Sequence, residues 1–92
     1  MTKKYKQLDR YYQKKYGISW KQRMDMWRDQ KGRCALCGAH EKKFSKRLAV
    51  EHNHQTGKIR SLCCFFCNKF RIGRANLYWA KLVYEYMVKY DG

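Results

Sequence analysis

The chain has 92 residues, which suits one domain with a small core. Lysine and arginine number 22 against 7 acidic residues, and the resulting net charge of +15 predicts a polyanionic partner such as nucleic acid. With 45% hydrophobic and 16% aromatic residues, the chain is too apolar for a disordered basic tail. No apolar run approaches the roughly 18 residues of a membrane span, and no signal peptide is evident, so we expect a cytoplasmic protein without membrane contact.

Two helices are predicted in the first third of the chain. Residues 1–16 form a basic helix or a flexible basic arm, which Gly17 ends. Ser19 and Gln22 have the spacing of a capping box, in which the serine hydroxyl and the glutamine side chain satisfy backbone N–H groups at the start of a second helix. That helix ends near Gly32, and its apolar face is predicted from Trp20, Met24 and Trp27.

A hairpin and two further helices are predicted in the rest of the chain. One strand begins at residues 48–50 and pairs with a second strand over 58–62, because the connection between them contains a glycine and turn-forming residues. A short helix follows over 65–72. Asn76 then caps a last helix over 76–90, whose apolar stripe is formed by Leu77, Ala80, Val83, Tyr84 and Met87.

Two C-x-x-C pairs, Cys34 with Cys37 and Cys64 with Cys67, predict a zinc site. In a reducing compartment such pairs favour a metal over disulfides. Cys64 keeps the two-residue spacing to Cys67, so we expect Cys63 to be packed as a small apolar group or to face outward. Four thiolates leave no open position for water, and the zinc is therefore predicted to be structural.

A second group of polar residues follows the first strand. Glu51, His52 and His54 lie at its end and in the turn, while Asn68 begins the short helix. Phosphodiester hydrolysis needs a base, a cation and ligands for that cation. An imidazole, whose unperturbed pKa is near 6.5, can be the base, and carboxylate and amide oxygens suit Mg²⁺. Strand alternation puts Glu51 and Asn53 on one face and both histidines on the other. The alternative to a catalytic pair is that these histidines are surface residues or phosphate contacts, which is the more common case for two histidines in a turn.

Five short motifs, in this order and spacing, resemble the phage recombination endonuclease VII family, a branch of the HNH, or His-Me finger, nucleases. The resemblance covers roughly residues 16–90, and the motifs are Tyr-Gly-Ile-Ser at 16–19, Gly-Arg-Cys-Ala-Leu-Cys-Gly at 32–38, Leu-Ala-Val-Glu-His-Asn-His at 48–54, Thr-Gly-Lys-Ile-Arg at 56–60 and Cys-Phe-Phe-Cys-Asn at 64–68. The resemblance implies an α+β fold. Within a single domain over 1–92, a zinc-stapled ββα-metal (His-Me finger) core over 34–74 would lie between flanking helices.

The resemblance also implies a role for each residue of the second group. His52 would be the general base, and His54 would contact the scissile phosphate. Glu51 and Asn68 would be ligands of a catalytic Mg²⁺ or Mn²⁺, although the acid in the family is usually an aspartate, one methylene shorter. The expected products carry 5′-phosphate and 3′-hydroxyl ends.

The resemblance places the hairpin and the short helix in the minor groove of DNA. We therefore expect a metal-dependent DNA endonuclease with weak or no sequence specificity, which nicks as a monomer or cuts both strands as a homodimer through the last helix. A phage-encoded enzyme would act in the host cytoplasm. The alternatives are a non-catalytic zinc-stabilised DNA-binding module and an RNA-directed protein of the same fold. The cations expected at phosphates are Lys58, Arg60, Lys69, Arg71 and Arg74.

Overall fold

A computed structural model describes residues 3–73 and 75–92 of the chain. None of the helices in these ranges is long and apolar enough to span a membrane. The α-helices and strands are α1 (Lys3–Tyr16), α2 (Trp20–Asp29), β1 (Ala49–His52), β2 (Ile59–Cys63) and α3 (Leu77–Asp91). Two shorter helical segments are a 3-10 turn over Glu41–Lys43 and a π-helical segment over Cys67–Ile72.

The N-terminal segment is a helix, the first of the two predicted alternatives. Gly17 ends it with a φ of 73°, a left-handed conformation that glycine adopts without steric cost. The predicted capping box is confirmed, because Ser19 Oγ accepts from the Gln22 N–H at 3.0 Å and Gln22 Oε1 accepts from the Ser19 N–H at 2.7 Å. Asp9 accepts from the Trp20 N–H at 2.9 Å and so joins α1 to the start of α2.

The buried face of α2 contains a charged residue that the apolar pattern did not predict. Arg23 is 1% exposed, and its guanidinium donates to Glu41 at 2.8 Å and to the Leu48 carbonyl at 3.2 Å. The helix turns Met26, rather than the predicted Met24, towards the core, because the face is centred on Arg23. The hydrophobic residues of α2 that pack against the core are Trp20, Met26 and Trp27.

The predicted hairpin is confirmed as an antiparallel pair of strands. Glu51 lies opposite Ser61, and an irregularity in register follows, so that His52 lies opposite Ile59. The Asn53 side chain stabilises the turn by accepting two backbone N–H groups at 2.8 and 3.0 Å. Such an irregularity bends a strand and changes the direction of the side chains beside it. The extra residue here is Arg60 on β2, which has no partner opposite it on β1.

The core is small and centres on the hairpin and the cysteines. Half of its buried hydrophobic residues are cysteines, which bury far less apolar surface than leucine or phenylalanine. A core of this composition needs additional stabilisation, and a metal ion is the usual source in a small domain. The buried hydrophobic residues are Tyr12, Cys34, Leu48, Val50, Leu62, Cys63, Cys64 and Cys67.

The C-terminal part contains both predicted helices. Helical residues begin at Phe65 and continue through the π-helical segment, which Gly73 ends with a φ of 42°. Asn76 caps α3 by accepting from the Trp79 N–H at 3.0 Å. However, no residue of α3 is buried, and Leu77 is 90% exposed. The predicted apolar stripe is thus left uncovered by the rest of the described chain.

Candidate functional site

Four cysteine sulfurs form the clearest cluster of metal ligands among the described residues. The Sγ atoms of Cys34, Cys37, Cys64 and Cys67 lie within 4.8 Å of one another, and those of Cys37 and Cys64 are 3.9 Å apart. Four sulfurs at about 2.3 Å from one tetrahedral ion are about 3.8 Å apart. The cluster therefore has the composition and size of a structural zinc site, as the C-x-x-C spacing predicts.

The fifth cysteine lies beside this cluster without joining it. Cys63 is fully buried, and its sulfur lies 3.5 Å from the Ser61 hydroxyl. Cys64, the cysteine that the two-residue spacing predicts as the ligand, is the one whose sulfur belongs to the cluster. Cys63 was expected either to pack as a small apolar group or to face outward, and in the structure it is packed in the core.

The pKa values of the clustered thiols indicate that a bound cation would stabilise their ionised forms. Burial raises the pKa of the Cys34 thiol, but backbone N–H groups, chiefly those of Cys37 and Cys64, outweigh it and lower the pKa from 9.0 to about 6. Burial and neighbouring sulfurs raise the pKa of Cys67 to about 12, although the Arg71 guanidinium donates to its sulfur at 3.2 Å. Closely spaced thiols cannot all ionise without a compensating positive charge, and Zn²⁺ supplies it.

Three of the four predicted catalytic residues line one pocket. His52 ends β1 and His54 lies in the turn that follows, and their rings stack with centroids 4.6 Å apart and an interplanar angle of 29°. Asn68, in the π-helical segment, lines the same pocket. An imidazole can accept a proton, and an amide oxygen can bind a hard cation, so this pocket combines two of the groups that hydrolysis needs.

The N-terminal helix contributes two further residues to this pocket. Lys15 and Tyr16, from the last turn of α1, line it together with Lys69. The two ammonium groups favour an anionic ligand such as a phosphate. Nothing in the local sequence predicts the contribution of α1, because it depends on how α1 packs. The remaining residues that line the pocket are Val50, Phe65 and Gly73.

Glu51, the fourth predicted catalytic residue, is not among the residues that line the pocket. It is 2% exposed, and both oxygens of its carboxylate accept from Arg60, with Nε and Oε2 2.6 Å apart. Strand alternation predicts this separation of Glu51 from the two histidines. The carboxylate is therefore neutralised by a guanidinium, an arrangement that the sequence did not indicate.

The five cations predicted at phosphates have different surroundings. Lys58 and Lys69 are exposed, on the hairpin and on the π-helical segment. The Arg60 guanidinium pairs with the Glu51 carboxylate, and Arg71 donates to the sulfur of Cys67, so two of the expected phosphate contacts already have partners within the chain. Arg74 lies outside the described residues.

Comparison with known proteins identifies the family. A family model described as recombination endonuclease VII matches residues 9–89. The Gene 59 protein of Mycobacterium phage L5 is 40% identical over 72 residues, which are 77% of this chain and 40% of that protein. The Gene 59 protein of Mycobacterium phage D29 is 42% identical over 60 residues, 65% of this chain and 36% of that protein.

The chain thus spans about two fifths of the length of these relatives. No solved structure matches the chain significantly. Because the family model covers most of the sequence, the chain belongs to the recombination endonuclease VII family.

Proposed function

We propose that this chain is a metal-dependent DNA endonuclease of the HNH, or His-Me finger, type, which hydrolyses phosphodiester bonds with weak or no sequence specificity. The observation that carries the proposal is the pocket in which His52, His54 and Asn68 meet the lysines of two helical segments. It lies within the region that the recombination endonuclease model matches. In this proposal β1, β2 and the π-helical segment form the ββα-metal core.

His52 is the proposed general base. It lies at the end of β1, half-buried, and lines the pocket beside Asn68. A neutral imidazole at this position accepts the proton of a water molecule as that water attacks phosphorus. The leaving oxygen becomes the 3′-hydroxyl, and the phosphate stays on the 5′ end of the other product.

His54 and two lysines are proposed to hold the scissile phosphate. The ring of His54 stacks on that of His52, so a hydrogen bond from His54 to a phosphate oxygen would hold the phosphorus near the base. Lys15 from α1 and Lys69 from the π-helical segment line the same pocket and neutralise the negative charge of the phosphate. These contacts position the substrate and need no recognition of bases.

A catalytic Mg²⁺ or Mn²⁺ is part of the proposal on donor chemistry alone. The amide oxygen of Asn68 and the carboxylate of Glu51 are ligands that such cations prefer, and the ion would neutralise charge that grows on the phosphate. Asn68 lines the pocket and fits this role. Glu51 does not fit it as found, because Arg60 occupies both carboxylate oxygens. A cation on Glu51 therefore requires Arg60 to move.

A monomer with one such pocket would nick DNA, whereas a homodimer through α3 would cut both strands. The uncovered apolar residues of α3 are the surface that we propose for such a dimer, since exposed apolar patches of this kind often mark protein contacts. Linear plasmid at early times of digestion indicates the dimer, and nicked circles alone indicate the monomer.

A non-catalytic zinc-stabilised DNA-binding module is the second candidate function. The Glu51–Arg60 pair favours it, because a carboxylate with both oxygens occupied holds no metal ion. This module would bind DNA through the same cationic surface and leave the phosphodiester bonds intact.

Digestion of matched DNA and RNA duplexes tests the proposal. Wild-type protein with added Mg²⁺ or Mn²⁺ should cut DNA and leave 5′-phosphate ends, while His52→Ala should lower the rate at least about 100-fold, the usual contribution of a general base. His40→Ala is the matched control, because His40 packs against Trp27 outside the pocket and its loss should leave the rate unchanged. Cutting of RNA but not DNA, or cutting without an added divalent cation, would contradict the proposal.

A further inference from the structure

Three phenylalanines on and before the π-helical segment form an exposed aromatic surface beside the candidate site. Their rings contact one another, with centroids 5.8 to 6.3 Å apart. Their exposed fractions are 38%, 53% and 67%, which is unusual for side chains that would gain most from burial. We call this surface the phenylalanine patch, and its members are Phe65, Phe66 and Phe70.

Lysines surround the phenylalanine patch. The ammonium of Lys46 lies 4.7 Å from the Phe65 ring centroid, and that of Lys69 lies 5.3 Å from Phe65 and 5.5 Å from Phe70. Lys43 lines two further pockets beside Phe66. No acidic residue lines the pockets that border the patch in the described part of the chain. The surface therefore favours a partner that is both aromatic or apolar and anionic.

The patch is continuous with the candidate site. Phe65 and Lys69 line the same pocket as His52, His54 and Asn68, while Phe65 also lines the neighbouring pocket with Phe66. A strand with one phosphate at the histidines would therefore pass its neighbouring nucleotides over the patch. To this extent the inference rests on the proposed function.

We propose that the phenylalanine patch binds single-stranded DNA by stacking its rings on exposed bases, while the surrounding lysines contact the phosphates. A groove that combines aromatic rings with cations is the usual means of binding a single strand without sequence preference. Duplex DNA does not offer the faces of its bases, because each is covered by its neighbours. The patch therefore favours a single-stranded segment next to the phosphate that the pocket holds.

The test measures binding of a labelled single-stranded oligothymidylate and of a labelled duplex, by fluorescence anisotropy and without added divalent cations. The test variant is Phe66→Leu with Phe70→Leu, which keeps apolar side chains at both positions and removes the two most exposed rings of the patch. This variant should bind the single strand at least about 5-fold more weakly, which is the smallest loss of affinity expected for one stacked base, and should bind the duplex as the wild type does. The conservative variant, Phe66→Tyr with Phe70→Tyr, keeps both aromatic rings and should bind the single strand as the wild type does.

Tyr86→Leu is the matched control, because Tyr86 is 64% exposed on α3 and contacts only Tyr90 among the rings described near it. It should bind both oligonucleotides as the wild type does. Zinc content and far-ultraviolet circular dichroism verify that each variant is folded. Single-strand binding that survives in the double leucine variant would overturn the proposal, as would an equal loss for single strand and duplex.

An oligouridylate of the same length separates DNA from RNA. Equal or tighter binding of this RNA, lost in the double leucine variant, would overturn the assignment to DNA and assign the patch to RNA. Binding is measured without cleavage, so the two proposals fail separately. If the protein cuts no DNA but the leucine variant loses single-strand binding, only the proposed nuclease activity fails; if it cuts DNA and the variant binds normally, only the stacking surface fails.

Discussion

The carboxylate of Glu51 is buried, and its charge is balanced by Arg60. Removal of one partner from a buried ion pair costs about 3–5 kcal/mol, because the other charge stays uncompensated. Arg60→Gln should lower the free energy of unfolding by a smaller amount, about 2 kcal/mol, since the Arg60 side chain is 37% exposed and solvent screens the pair. Urea denaturation of the zinc-loaded protein measures this change.

Lys58→Gln is the control for that prediction, because it removes an exposed cation from the same hairpin and should change stability by less than about 0.5 kcal/mol. If Glu51 also binds a divalent cation, Mn²⁺ should stabilise Arg60→Gln more than the wild type. Equal stability of the two glutamine variants would show that the Glu51–Arg60 pair contributes nothing.

Glu41 makes stability depend on pH. Burial raises the pKa of this carboxyl, but the Leu48 N–H at 2.9 Å and the Arg23 guanidinium at 2.8 Å outweigh it and lower the pKa below its ordinary value of 4.5. A lowered pKa in the folded state stabilises the fold above pH 4.5, and this stabilisation is lost as the pH falls through the folded-state pKa.

The wild type should therefore be more stable than Glu41→Gln at pH 6, and the difference should shrink as the pH falls below 4.5. Because both proteins keep the zinc cysteines, acid effects on the metal site affect them alike. Denaturation curves from pH 6 to pH 3 measure the difference. A constant difference across this range would contradict the assigned role of Glu41.

Among the elements, those defined by local hydrogen bonds were predictable from the sequence. Ser19 and Asn76 cap their helices through bonds to residues three positions away, and Asn53 stabilises its turn in the same local way. The burial of Arg23 was not predictable, because its partners lie 18 and 25 residues later in the chain. Helical periodicity reports the apolar face of a segment, but it does not show that a distant carboxylate will neutralise a charge on that face.

The candidate site likewise has features that the sequence predicted and features that depend on tertiary packing. The cysteine spacing predicted the zinc ligands, because each C-x-x-C loop brings its own two sulfurs together. Strand alternation predicted that His52 and His54 share a face. The contribution of Lys15 and the pairing of Glu51 with Arg60 depend on packing and side-chain geometry that no local pattern records.

The neighbouring residues Cys63, which ends β2, and Cys64 allow a direct test of the zinc site. Cys64→Ser should lose stoichiometric zinc and much of the folded structure, because the small core depends on the metal. Cys63→Ala should keep one zinc per chain, since its sulfur lies outside the cluster. Metal analysis and circular dichroism of both variants measure this. Loss of zinc from Cys63→Ala with retention by Cys64→Ser would reverse the assignment.

The whole molecule is elongated and strongly basic. The described residues extend over 54 × 29 × 20 Å, and the net charge of the chain is +15. Binding of a polyanion to such a surface releases counterions, so affinity depends steeply on salt. In the proposed function, the charge supplies general attraction to nucleic acid, and hydrolysis takes place at the pocket with His52.

Duplex DNA binding should weaken by roughly 10³-fold between 50 mM and 200 mM salt, as expected for about six phosphate contacts. Lys69→Gln should lower the slope of log affinity against log salt by about one. Lys21→Gln is the control, because Lys21 pairs with Asp25 at 3.1 Å on α2 and should leave the slope unchanged. Binding that does not change with salt, or equal slopes for both variants, would contradict a phosphate contact at Lys69.

The most direct test of the central claim, hydrolysis at the pocket of His52, is the digestion of supercoiled plasmid with Mg²⁺ by wild type and His52→Ala. The account predicts that the wild type converts the plasmid to open circles or linear DNA, and that His52→Ala binds the plasmid without cutting it. If both proteins only retard the plasmid, the chain is a binding module; if both cut it equally, the base lies elsewhere. Either result would contradict the account.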